Sequence, residues 1–97
     1  MNSTDRNYLR REAHALKPVV MIGQAGLTDE VSAACGQALE AHELIKVKFQ
    51  DYKNAKREMS DELAEKTHAE VVSIIGNILT LYKQARDPAK RRYRLKS

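Results

Sequence analysis

The sequence predicts a two-layer α/β (α+β) fold in the order α-β-α-β-α-β-β, a four-stranded mixed sheet packed with three helices. Three observations carry this expectation. An apolar run, Val19 to Ile22, passes at once into a loop bounded by two glycines and then into a helix-capping residue. The stretch Leu44-Ile45-Lys46-Val47-Lys48-Phe49 alternates with the period of a strand. Two β-rich runs flank Gly76-Asn77, a two-residue hairpin signal expected to form a type II′ turn.

Each element follows from local chemistry. The first helix is expected over 4–16, with Ser3 or Thr4 as cap, Asp5 in the first turn, and Leu9, Ala13 and Leu16 at helical spacing. Pro18 stops it and drives Lys17 towards extended geometry. Val19 to Ile22 does not alternate, which suits a strand buried on both faces in parallel pairing. Thr28 caps the second helix, whose apolar face is Val31, Ala34, Cys35, Ala38 and Leu39, and which frays near His42. Gly36 breaks that pattern, and close packing against a neighbour would offset its poor helix propensity. In the strand at 44–49, Ile45, Val47 and Phe49 face a core while Lys46 and Lys48 face solvent. The third helix runs from Asn54 to Thr67 on a stripe of Ala55, Met59 and Leu63, with Ala64 alongside. The hairpin pairs Glu70–Ile75 with Ile78–Lys83. Right-handed crossovers place the second and third helices on one face of the sheet; the first helix, with no strand before it, is unconstrained.

With 97 residues, 42% hydrophobic and 31% charged, the chain forms one small globular domain over 1–85. No apolar run reaches the ~18–20 residues of a membrane span. The first residues lack the basic start and apolar core of a secretory leader, so a cytoplasmic protein is expected. The single cysteine, Cys35, excludes an intrachain disulfide and reads as a small buried residue. The net charge of +4 is uneven: residues 1–85 sum to −1 and residues 86–97 to +5. This basic tail, 86–97, is expected to be partly disordered when free and to suit an anionic partner, nucleic acid being the commonest.

Gly23-Gln24-Ala25-Gly26 followed by Leu27-Thr28 is the candidate site. Glycines let another backbone approach and permit positive φ, and the helix start offers N–H groups near Leu27 and Thr28 to a phosphate. The same pattern also describes an ordinary tight turn. Dinucleotide and P-loop signatures are missing. Cations provide the second signal: Arg10, Arg11 and Lys17 before the loop, Lys46 and Lys48 on one strand face, and Arg91, Arg92, Arg94 and Lys96 around Tyr93. Such groups give salt-dependent affinity for a phosphate backbone, and an aromatic can stack on an unpaired base. His14, His42 and His68 lie in separate elements without metal-ligand spacing and read as helix-end residues. No nucleophile beside a base is evident, so neither metal, cofactor nor enzymatic activity is expected.

Ala13-His14-Ala15-Leu16-Lys17-Pro18-Val19-Val20, Ile22-Gly23-Gln24-Ala25-Gly26-Leu27-Thr28, Ala38 to Lys48 and Ile75-Gly76-Asn77-Ile78-Leu79 closely resemble bacterial YhbY-like proteins, which are stand-alone CRM domains (chloroplast RNA splicing and ribosome maturation). The resemblance spans about residues 8–83. It implies the same element order and an RNA-binding domain. It further implies association with the precursor of large-subunit rRNA and a part in ribosome assembly, with the GxxG loop, here 23–26, touching RNA. Relatives often carry a basic residue in this loop; here Gln24 and Ala25 are neutral, so most attraction is expected from cations elsewhere. A monomer is expected. The competing reading is a protein-interaction module that docks on a ribosomal protein rather than on RNA.

Overall fold

The computed structural model describes residues 1–50 and 55–96. Helix α1 spans Ser3–Ala13, strand β1 Pro18–Ile22, α2 Asp29–His42, β2 Leu44–Phe49, α3 Lys56–Thr67, β3 Glu70–Ile75 and β4 Ile78–Tyr82. A single 3-10 turn, Pro88–Lys90, follows. Asn54, the expected start of the third helix, lies outside the described residues.

The strand order is β1-β2-β4-β3. β1 runs parallel to β2, joined through α2, and β4 is antiparallel to both of its neighbours. The β2–α3–β3 connection leaves a gap one strand wide. The hairpin at Gly76-Asn77 folds β4 back into it. Gly76 takes φ +57, whereas Asn77 is not among the positive-φ residues, the pattern of a type II′ turn.

As expected, α2 and α3 cover one face. Their core joins Cys35, Leu39 and Leu63 to Ile22, Ile45, Val47, Phe49, Leu79 and Leu81 from the sheet. Burial pushes the Cys35 thiol up to about 11, in keeping with a structural residue. Gly36 does not pack closely, since a Cβ there would meet nothing within 4 Å.

α1 crosses the opposite face, where Leu9 and Ala13 pack with Leu44, Val72 and Tyr82. Its cap is Asn2 rather than Ser3 or Thr4, because Asn2 Oδ1 accepts the Asp5 N–H at 2.8 Å. It ends at Ala13, three residues earlier than the apolar spacing suggests. There the N–H of Leu16 turns onto the carbonyl of Ala13, and Pro18 forces the chain to extend.

Three expectations about burial are overturned, the first being that Ala34 joins the apolar face of α2, where it is instead exposed. β1 is not buried on both faces: it is an edge strand, and α1 packs mainly over β2 and β3, so Val19 and Met21 are 52% and 53% exposed. Ala55 does not join the apolar stripe of α3. It is the exposed residue before the helix, in left-handed geometry at φ 68.

The tail packs against α1 in this structure. Tyr93 meets Tyr8 and Tyr82 edge-on, with centroids 6.4 and 6.3 Å apart, and Leu95 joins the same cluster. Burial raises the phenol pKa values of Tyr82, to about 12, and of Tyr93.

Candidate nucleic-acid interface

The glycine loop is a tight turn mounted on the sheet. The N–H of Gly26 donates to the carbonyl of Gly23 at 3.0 Å, and Gln24 and Ala25 form the exposed tip. Only Gly26 uses the left-handed region, at φ 77. Gly23 instead gives room: a Cβ there would stand 3.1 Å from Oε1 of Gln50. The N–H of Gln50 binds the carbonyl of Ile22 at 2.9 Å, and that of Phe49 binds the Asn77 carbonyl at 2.8 Å. Loop, β2 end and hairpin are thereby tied together at one end of the sheet.

Thr28 caps α2 as the sequence suggests. Its Oγ1 accepts the Val31 N–H at 3.1 Å. Its own N–H already donates to the carbonyl of Gly26 at 3.1 Å. Asp29 and Glu30 occupy the first turn and partly offset the positive end of the helix. The loop therefore offers its exposed tip and the Gln24 amide more than a strong anion site at Leu27 and Thr28.

The predicted cations separate into neighbouring groups. Lys46 and Lys48 point from β2 to the face not covered by α2 and α3, and Arg10 and His14 at the end of α1 stand beside Lys46. Lys17 shares a shallow cleft with Arg92, and Arg11 shares another with Arg94 and Lys96. The tail alternates: Tyr93 and Leu95 point inwards, Arg92, Arg94 and Lys96 outwards. Arg91 stands apart, its Nε donating to the carbonyl of Ala85 at 2.9 Å.

The tail cations and the loop do not form one patch. They lie towards opposite ends of β2, Leu44 near the tail and Phe49 near the loop, about 17 Å apart. Lys46 and Lys48 bridge that distance on the open face.

Sequence reasoning missed three parts of this surface. Ser73, Ile75, Ile78 and Thr80 line the open face beside Lys46, although β-rich runs on both sides of the turn gave no clue to which face was covered. Glu43 is buried and holds the tail, its carboxylate accepting the N–H groups of Ala85, at 2.7 Å, and Arg92. Asp5, expected only as a first-turn anion at the helix dipole, is buried and accepts the Lys96 N–H at 2.7 Å.

Comparison with known proteins agrees with this architecture. The family model for the CRS1 / YhbY (CRM) domain matches residues 1–83. The chain is 32% identical over 88 residues to the probable RNA-binding protein YqeI of Bacillus subtilis, covering 90% of this chain and 92% of that one. It is 38% identical over 88 residues to an RNA-binding protein of Haemophilus influenzae, covering 90% and 89%. The solution structure of the Staphylococcus aureus hypothetical protein SAV1595 superposes with a TM-score of 0.81 at 29% identity, over 95% of this chain and 97% of that one. With its three helices, mixed four-stranded sheet and glycine loop after the first strand, the chain belongs to the CRS1/YhbY (CRM) family.

Proposed function

We propose that this protein binds structured RNA, and that its target is the precursor of large-subunit rRNA during ribosome assembly in the cytoplasm. The observation that carries the reading is the line of cations on the open sheet face. Lys46 and Lys48 stand on β2, with Arg10 beside Lys46, Lys17 towards one end and the glycine loop at the other. The names of the relatives support RNA as the partner, and the family resemblance supports the ribosomal precursor.

The loop positions the RNA backbone. Gly26 keeps the turn tight, and the tip carries no bulky or acidic side chain. Cations supply attraction and steer association through the phosphates. Recognition of this kind reads shape and backbone before base identity. The protein acts by binding, as a monomer, and not by catalysis.

Crosslinking in cells followed by sequencing of attached RNA tests the target. Dominant crosslinks to large-subunit rRNA precursors are expected, and crosslinks confined to mRNA would overturn the assembly role. Binding to purified, protein-free rRNA fragments tests the partner class. Failure to bind at low salt would replace RNA binding with docking on a ribosomal protein.

A further inference from the structure

The three large apolar side chains that the described residues expose, Val19, Met21 and Ile75, all lie on the sheet face that α2 and α3 leave open. The registers define this face. Lys46 pairs with Thr80 and Thr80 with Ser73; one step along, Lys48 pairs with Ile78 and Ile78 with Ile75. A row bearing an ammonium and two hydroxyls thus runs beside a row with two adjoining aliphatic side chains. The end of α1 forms a wall over both, with Arg10 and His14 at its rim. The open cleft between them measures about 170 Å³, and no carboxylate lines it.

From this juxtaposition we infer that the cavity between the end of α1 and the open sheet face is a binding site for one unpaired nucleotide of the RNA. The inference rests on the RNA-binding reading above and adds a site to it. Ile75 and Ile78 offer an apolar floor for the face of a base. Ser73 and Thr80 lie where the edge of that base would fall, and a hydroxyl can donate or accept there. Arg10 and Lys46 supply charge for the adjoining phosphate, and Arg or His can stack on the outer face of an unpaired base.

Charge and shape select this occupant. A second copy of the chain would bring cations against cations. An acidic protein segment would satisfy the charge, but it leaves the paired hydroxyls in a concave site without a stated role. The distance also fits. Met21, next to Ile22 and the glycine loop, is three strand spacings from Ile75, about 14 Å. A single RNA strand can therefore meet the loop with its backbone and place a neighbouring nucleotide in the cavity.

The test compares two hairpin RNAs identical except for one unpaired, bulged nucleotide, with uridine and adenosine bulges tried separately. Binding is measured by fluorescence anisotropy at fixed salt. The wild-type protein is expected to bind a bulged RNA about 5-fold more tightly than the paired one. Ile75→Ser, at a position 60% exposed and so tolerant of change, should abolish that preference, whereas Ile75→Leu retains it. Backbone amide resonances of residues 73–80 should shift with the bulged RNA. Equal affinity for both hairpins in the wild type would overturn the nucleotide site and leave RNA binding intact. A preference that survives Ile75→Ser with unmoved amides would also overturn it. Binding of neither hairpin at low salt would overturn both readings. Displacement of the RNA from these amides by an acidic amphipathic peptide of higher affinity would reassign the face to a protein partner.

Discussion

Glu43 holds Arg92 by its backbone. The carboxylate of this residue, at the C-terminal end of α2 and 2% exposed, accepts the N–H of Arg92 with one oxygen and that of Ala85 with the other. The arrangement turns a buried acid into an anchor for a basic tail and leaves the Arg92 guanidinium free to face solvent near Lys17. Glu43→Ala is expected to cost about 2–3 kcal/mol, since two N–H groups lose a charged acceptor. The amides of Ala85 and Arg92 should then exchange with solvent much faster. Denaturant unfolding and hydrogen exchange check both, and unchanged exchange at Arg92 would mean that the tail is not held in solution.

The tail should contribute charge without needing to be removed. Deleting 86–97 would also strip Tyr93 and Leu95 from the cluster around Leu9 and Tyr82. The cleaner variant is Arg92→Gln with Arg94→Gln, which keeps both inward side chains. The slope of log affinity for rRNA against log salt is expected to fall by about 1–2. An identical slope would exclude these cations from the interface.

The two loop glycines should respond differently. Gly26→Ala places a side chain at φ 77 and is expected to cost about 1–2 kcal/mol. Gly23→Ala only displaces the end of an exposed glutamine side chain and should cost little. Thermal unfolding of the two variants decides this. Gln24→Asp, at the exposed tip, should leave stability unchanged and weaken rRNA binding, and unaltered affinity at moderate salt would remove the loop from the site.

Gly36→Ala should stabilise the protein. The position is helical, has no positive φ, and leaves open space around an added Cβ. A gain of about 0.5–1 kcal/mol follows from helix propensity. For a domain of this size that corresponds to a rise in Tm of about 2–8 °C, measurable by circular dichroism.

Alkali should loosen the side of the fold where the tail lies. Burial, and then the charge of Glu43, push the Tyr82 phenol up to about 12 from an ordinary value near 10. A raised folded-state pKa favours the protonated phenol in the native protein. Its contribution is complete below about pH 10 and is lost as pH rises through about 12. Ultraviolet titration of the tyrosines should show a late-ionising phase, with stability to denaturant falling over the same range. Replacement of Tyr82 by Phe should remove the Tyr82 part of both effects.

Much of this protein is determined locally and can be read from the chain. The Thr28 cap, the alternation over Leu44–Phe49, the Gly76-Asn77 turn and the change to extended chain at Pro18 act within a few residues. Together they specify the order of elements and the position of the glycine loop. The exposed cations Arg10, Lys17 and Lys48 follow from the same periodicities.

Only the tertiary structure decided which faces are covered. Val19 and Met21 read as buried because an apolar run does not reveal that α1 packs mainly over β2 and β3 and that β1 is an edge strand. The roles of Asp5 and Glu43 were illegible for a related reason. Their partners lie 91, 42 and 49 residues away, and a buried carboxylate has the same local pattern as a solvent-facing one. The open face, with Ile75 and Ile78 beside Ser73 and Thr80, exists only once β4 inserts between β2 and β3. Burial and long-range hydrogen bonding depend on what the rest of the chain brings to a residue, and that is settled by packing.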